Sequence, residues 1–280
     1  LIGKDSEQGG RMRIGLAMSG GGVRGLAHIG VIKALRENGI FVNDFSGVSA
    51  GALVALMAAA DCSIDDMLNF WLDTKPLSIR HLVFREPALF GTADYIQPLR
   101  RFVSQERFEE LPHPLFVGVT AMIAGEFRII SSGPLWPLVL ASAAFPIVFT
   151  PVELDGEIYM DGGIVDSFIP EPLTKRCDLV IGSDVDPVRT AAPEDLASIR
   201  GVFERVMSLQ HSEQLKEKRK LCDVVVTPSG IEKFGTFQTE AMREIFQLGY
   251  EAGKEVIPSI GALVDALSDS QEPLDGEDSP

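Results

Sequence analysis

Basic residues are in short supply. Lys and Arg together number 25 against 40 Asp and Glu, a formal net charge of −15. The shortage argues against nucleic acid, whose affinity comes mostly from Lys and Arg on phosphates. It also argues against electrostatic docking on anionic lipid, which needs a basic patch. Cysteine is scarce as well: Cys62, Cys177 and Cys222 form an odd count without metal-ligand spacing. They are expected as reduced thiols in a cytoplasmic, reducing compartment. No apolar run approaches the roughly 18 residues that cross a bilayer. The opening LIGKDSEQGG lacks a basic flank followed by an apolar stretch, so no signal peptide is expected. Internal repeats and low-complexity linkers are absent before the acidic end.

What is present suits one large domain, or two small ones, in 280 residues with 45% hydrophobic content. The chain is organised around residues 13–60. Met12 to Ala17 is a short apolar run, followed by Met18-Ser19 and then Gly20-Gly21-Gly22-Val23-Arg24-Gly25. A periodic stretch, Leu26 to Leu35, reads as a helix that Asn38-Gly39 breaks. A second apolar run, Ile40 to Phe45, leads to Gly47-Val48-Ser49-Ala50-Gly51, and Ala52 to Ala60 continues as a helix.

Farther on, Ser63 caps a helix expected over Asp65 to Thr74. Pro76 and Pro87 bound an irregular segment with Arg80, His81, Phe84 and Arg85, so residues 75–91 are either a lid or a packed connector. Thr92 to Val103 reads as a helix, Pro114 to Ala121 and Glu126 to Ser131 as a strand pair, and Leu135 to Ala144 as a buried helix. Asp155-Gly156 marks a hairpin between Val152–Leu154 and Glu157–Met160, with Asp161-Gly162-Gly163 directly after. Cys177 to Val185 is a strand apolar in its middle, as in a sheet buried on both faces. A charged amphipathic helix over Gly201 to Lys220, a strand over Asp223 to Thr227 and a helix over Thr239 to Ile257 complete the pattern. Strands alternating with helices indicate an α/β domain with a mostly parallel sheet. The expected division is a flexible segment over residues 1–11, one domain over 12–262, and an acidic, disordered tail over 263–280.

Two glycine-rich strand-to-helix turns so close together suggest an anion cradle beside a nucleophile. In the second turn Ser49 occupies a tight elbow, and Gly47 and Gly51 remove side chains that would collide there. In the first, successive backbone N–H groups at a helix N-terminus can hold a phosphate or a transient oxyanion. A Walker loop fails, because Arg24-Gly25-Leu26 stands where Gly-Lys-Ser/Thr is required. Gly20, Gly22 and Gly25 do match the dinucleotide spacing, with Asp44 as the acid about 20 residues on. The oxyanion reading accounts for both turns at once. Arg24 then either fixes the loop or meets a phosphate head group. For a base, the order Ser49, Asp184, His211 imitates an α/β-hydrolase triad, but only two strands precede Ser49 and His211 lies in a charged stretch. His28, His81 and His113 are weaker choices. Asp161, freed by two glycines after a strand, is the remaining one, provided its carboxylate reaches the Ser49 hydroxyl.

The set of Gly20 to Gly25, Gly47 to Gly51 and Asp161-Gly162-Gly163 resembles the patatin-like phospholipase family. So do Ala141 to Val152 (ASAAFPIVFTPV) and Leu248 to Ala252 in the closing helix. The resemblance runs from about Arg13 to Ile257. It implies a three-layer α/β/α sandwich and a bacterial patatin-like serine acyl hydrolase without metal or cofactor. Ser49 would be the nucleophile and Asp161 the base, with the oxyanion hole in the Gly20, Gly21, Gly22, Val23, Arg24, Gly25 run. Lipids or other acyl esters would be the substrates, with transient membrane contact. The alternative is a non-catalytic module on the same fold that binds an acyl lipid or a nucleotide. Two departures from the family pattern bear on the pocket. Asp166-Ser167-Phe168-Ile169-Pro170 lacks the usual Asn and places Pro later, and Thr120-Ala121-Met122 lacks an Asp.

Overall fold

In a computed structural model, residues 12–74, 91, 96–187, 190–236 and 238–269 are described. In chain order the elements begin with β1 (Ile14–Met18), a 3-10 turn (Gly22–Gly25), α1 (Leu26–Glu37), β2 (Asp44–Val48), α2 (Ala50–Ala59) and α3 (Ile64–Thr74). Next come α4 (Ile96–Leu99), β3 (Leu115–Ala121), β4 (Glu126–Ile130), α5 (Leu135–Ser142), β5 (Val152–Leu154) and β6 (Glu157–Asp161). A second 3-10 turn (Gly162–Ile164), α6 (Glu171–Thr174), β7 (Leu179–Ser183), α7 (Ile199–Arg219), β8 (Val224–Val226) and α8 (Met242–Asp269) follow.

The strands form one sheet in the order β5-β6-β3-β2-β1-β7-β8, with β4 on the other edge of β3. From β3 through β8 along this path the pairs are parallel, while β4, β5 and β6 make antiparallel pairs. Strand periodicity sends alternate side chains to opposite faces. Ile14, Leu16 and Met18 of β1 join α1, α2, α3, α5 and α8 in the larger core, whereas Ala17 meets Phe168, Leu173 and Leu215 in a smaller one. Leu173 belongs to α6 and Leu215 to α7, so helices cover both faces. The result is the expected three-layer α/β/α arrangement. Helices α1 and α8 approach backbone to backbone, since a Cβ on Gly249 would stand 2.0 Å from the Ala27 carbonyl oxygen.

Three boundaries differ from the sequence pattern. The second strand begins at Asp44 and carries the apolar pleat directly into the elbow, rather than ending at Phe45. Of the stretch read as Thr92 to Val103, residues 92–95 lie outside the described residues, α4 covers Ile96–Leu99, and residues 100–103 are not helical. Helix α8 continues past Pro258 to Asp269, because Ile260 and Val264 keep the apolar stripe buried beyond the proline. Residues 263–269, expected in the tail, are therefore helical. Residues 1–11, all but the last residue of the segment 75–91 read as a lid or connector, and residues 270–280 lie outside the described residues. Among the described residues no helix is long and apolar enough to cross a membrane.

Strand register places the functional residues. Strands β1, β2 and β7 run in the same direction, with Met18 opposite Gly47 and Ser183. Their carboxyl ends share one edge, and the chain leaves β1 for β2 on one side and β7 on the other. Such a switch point is where open α/β sheets hold ligands. Strand β3 supplies the second alignment. Its first half pairs with β2, Gly118 opposite Val48, and its second half pairs with β6, Val119 opposite Asp161. Since β4 occupies the far edge of β3 along both halves, β2 and β6 lie end to end on the same edge. Their carboxyl termini meet there.

Candidate active site

Ser49 follows the last residue of β2 and takes φ 55°, ψ −125°, a conformation outside the regular regions. The elbow depends on two glycines. A Cβ on Gly47 would lie 2.5 Å from the Gly51 carbonyl oxygen, and one on Gly51 would lie 2.4 Å from the Met18 oxygen. The turn presents the Ser49 hydroxyl to β6, where Oγ donates to Asp161 Oδ2 at 2.6 Å. The backbone N–H of Ser49 donates to Ser142 Oγ at 3.0 Å, and Ser142 in turn donates to the Gly118 carbonyl at 2.7 Å.

Asp161 is held as firmly. It caps the 3-10 turn Gly162–Ile164 by accepting the Gly163 N–H on Oδ1 at 2.8 Å. Its own carbonyl accepts the Thr120 hydroxyl at 2.9 Å. Gly162 packs against β3, where a Cβ would lie 2.5 Å from the Gly118 oxygen. The carboxyl is 1% exposed. Burial pushes its pKa up to about 7, against the opposing pull of the hydrogen bonds from Ser49 and Gly163. A carboxyl poised near neutrality can both take and return a proton.

The glycine turn after β1 arches over Ser49, and a Cβ on Gly20 would stand 3.4 Å from Ser49 Cβ. Not every amide in it is free. Gly20 N–H donates to the Ser167 carbonyl, Val23 N–H to Thr236 and Arg24 N–H to Gly21, at 2.9, 2.8 and 3.2 Å. Among the described residues the Gly21 and Gly22 amides carry no hydrogen bond. Of the six residues of the run, Gly20, Val23 and Arg24 thus have their amides already engaged. Arg24 acts as a loop fixer: Nε donates to the Gly21 carbonyl at 3.2 Å and Nη2 to Asp186 Oδ1 at 2.6 Å.

Ser49, Asp161 and Gly20 to Arg24 line a cavity of about 290 Å³. Leu53, Trp71, Leu140, Phe145 and Phe149 give it an apolar lining, and Gly201, Arg205, Met207 and Ser208 of α7 also line it. Such a shape, apolar with a few convergent polar groups, suits a small ligand.

The rival readings do not assemble. Asp184 accepts from the Arg219 guanidinium and from the Asp186 N–H, away from Ser49, whose hydroxyl is already engaged by Asp161. In the order Ser49, Asp184, His211 the serine and the acid thus have other partners, and the His211 side chain lies outside the described residues. Asp44 opens β2 rather than closing it and is buried under Arg13 and Arg176, at 2.5 and 2.9 Å. It stands at the opposite end of the strand from the glycine turn, so the dinucleotide geometry fails. His113 pairs with Asp61 at 3.1 Å, and His81 lies outside the described residues.

His28 serves behind the turn. Its Nε2–H donates to the Ser19 carbonyl at 2.9 Å, which leaves Nδ1 to accept the Ser183 hydroxyl at 2.7 Å. Burial lowers its pKa to about 4, partly offset by the Ser19 bond. The folded pKa lies below the unfolded 6.5, so this contribution is complete above pH 6.5 and is lost as pH falls through 4. Its size is about 3 kcal/mol. Asp161 titrates with the opposite sign over much of this range, so the difference between the wild type and His28→Gln isolates it. Urea unfolding from pH 4 to 7 should show the wild type gaining stability relative to the variant as pH rises.

Sequence reasoning had passed over Ser142, Ser167 and Thr236, which hold the elbow and the glycine turn. Ser142 had one visible signal: it is the sole polar side chain able to donate or accept through oxygen in LWPLVLAS.

Residues 16–174, more than half of the chain, match the family model for patatin-like phospholipases. The chain belongs to the patatin-like phospholipase family. Over 190 residues it is 34% identical to an uncharacterized NTE family protein of Mycobacterium tuberculosis, covering 65% of this chain and 52% of that relative. A lysophospholipase, nte1, of Emericella nidulans is 23% identical over 285 residues, or 88% of this chain and 18% of the fungal protein. The patatin chain thus spans about half the length of the mycobacterial relative and less of the fungal one. Human GIVD cytosolic phospholipase A2 superposes with a TM-score of 0.50 at 10% identity, over 92% of this chain and 63% of that one, a likeness of fold.

Proposed function

We propose that this patatin domain is a serine acyl hydrolase of lipid esters. The observation that carries the reading is the 2.6 Å hydrogen bond from Ser49 Oγ to a buried Asp161. Asp161 accepts the hydroxyl proton as Ser49 attacks the ester carbonyl. The Gly21 and Gly22 amides receive the oxyanion of the tetrahedral intermediate, an arrangement elsewhere worth roughly 3–4 kcal/mol per donor. Collapse breaks the bond to the leaving alcohol, which departs with the proton from Asp161, and leaves an acyl ester on Ser49. Asp161 then takes a proton from water, the resulting hydroxide attacks the acyl carbonyl, and the carboxylic acid departs as Ser49 is reprotonated. The apolar wall of Leu53, Trp71, Leu140, Phe145 and Phe149 receives the acyl chain.

A fluorophosphonate probe should label the protein at Ser49, and Ser49→Ala should remain unlabelled. Because catalysis needs ionised Asp161, kcat/KM for a water-soluble ester should rise with pH through about 7 and level off above. Persistent labelling of the alanine variant, or a profile flat from about pH 5 to 9, would overturn the assignment.

A further inference from the structure

Helix α7 (Ile199–Arg219) has an outward face that changes character halfway along. Steps of three and four residues keep to one side of a helix. Such steps run Ile199, Val202, Val206, Leu209, Glu213, Lys216 and then Lys220 just beyond the last turn, and all seven are exposed. The later positions are an ordinary solvated face, with Lys216 paired to Glu213 and Lys220 to Glu217. The first four are wholly apolar, Ile199 being 90% and Val206 55% exposed. Scattered exposed apolar side chains are normal, but a continuous row marks an interaction surface.

The row is not a core face turned outward by a slipped helix. Leu215 is buried in the smaller core, Lys218 pairs with Asp166 and Glu171, and Arg219 pairs with Asp184. These contacts lock the rotation of α7. On the same first turns, Gly201, Arg205 and Ser208 line the cavity, so the apolar row and the cavity rim are neighbouring faces of one helix. Another exposed apolar side chain belongs to the segment that meets α7. Ile147 is 56% exposed and holds φ 71°, a strained conformation for a β-branched residue. It lies between Phe145 and Phe149 of the cavity wall, and Phe145 meets Phe203 of α7 edge to face at 5.8 Å.

We propose that the first turns of α7, with Ile147, seat the domain on a neutral phospholipid surface. Ester lipid then passes from the surface over the cavity rim to Ser49. This rests on the acyl-hydrolase reading for its substrate. An amphipathic helix lying in the interface plane buries such a face among head groups and acyl chains. The surface is zwitterionic rather than anionic, because the chain carries a net charge of −15 and the row itself holds no cation. A second copy of the chain, meeting the row through its own, is the competing occupant.

The test compares the wild type with Val206→Glu plus Leu209→Glu, and with the milder Val206→Ser plus Leu209→Ser. Neither pair touches the residues placed in the catalytic machinery. The wild type should sediment with phosphatidylcholine vesicles and hydrolyse ester lipid held in them. The glutamate pair should lose roughly tenfold or more of both, the serine pair less. Hydrolysis of a short water-soluble ester should stay within about twofold of wild type. Unchanged vesicle binding in the glutamate pair would overturn the proposal. So would binding that appears only with anionic lipid and vanishes in salt, or a wild-type dimer by light scattering that the same substitutions dissociate. A wild type that binds vesicles through the row but hydrolyses neither ester would sink the acyl-hydrolase reading and leave the docking surface standing.

Discussion

Asp161→Asn should abolish hydrolysis and at the same time stabilise the fold. Replacing the carboxylate removes the proton acceptor for Ser49, and losses on removing one member of such a unit are about 10⁴-fold or more in kcat. Ser49→Ala should fall to a similar floor, and the double variant little further, because the two groups act as one. Stability moves the other way. Burial raises the folded pKa of Asp161 from 3.8 to about 7. Its favourable contribution is thus present below pH 3.8 and lost as pH rises through about 7. The shift is about three units, or about 4 kcal/mol against the ionised wild type above neutrality. Asparagine carries no charge to desolvate. Urea unfolding should therefore show the variant and wild type converging below about pH 4, diverging as pH rises to about 7 and keeping a constant gap above it, with the variant the more stable. A variant that is equally stable at pH 8 would mean that the carboxylate is solvated, and its role as a poised base would go with it.

Gly51→Ala should be among the most damaging single substitutions in the chain. The added Cβ would lie 2.4 Å from the Met18 carbonyl oxygen and 2.6 Å from that of Ser19. Both are backbone atoms of β1 and its exit, with no rotamer to relieve the contact. One outcome is separation of α2 from β1, costing about 3 kcal/mol or more, a magnitude reserved for overpacked cores and strained backbone. The same displacement moves Ser49 away from the Gly21 and Gly22 amides, so kcat should fall in whatever fraction remains folded. Gly261→Ala is the control. It lies inside α8, and an added Cβ there would meet nothing within 4 Å. Helix propensity alone then predicts a gain of roughly 0.5–1 kcal/mol. Thermal unfolding of the two variants should move in opposite directions.

Much of the site was legible because glycine and turn residues record local geometry. Gly47, Ser49 and Gly51 identify an elbow wherever the chain goes next, and Asp155-Gly156 marks the hairpin whose two central residues indeed take φ 53° and 78°. The meeting of Ser49 with Asp161 was not readable in this way. It depends on β2 and β6 sharing one edge of β3, a matter of non-local pairing; elimination left Asp161 as a candidate, and the family resemblance was needed to favour it. Which glycine amides remain free was also hidden, since the competing acceptors are the carbonyls of Ser167 and Thr236, far away in sequence. The long α8 was underread for the opposite reason. The helix was read only as far as Ile257, whereas the burial of Ile260 and Val264 carries it on past Pro258.

The abutting ends of β2 and β6 have a consequence for how such a protein can change. Ser49 and Asp161 are referred to adjacent rungs of a third strand, Gly118 and Val119. Loops inserted or deleted between those anchor points alter what surrounds the reacting pair without altering its spacing. Grafts between α2 and β3, or between β4 and β6, should therefore re-tailor substrate choice while chemical competence survives. A one-residue slip within β3 itself should silence the catalyst however well the remainder folds.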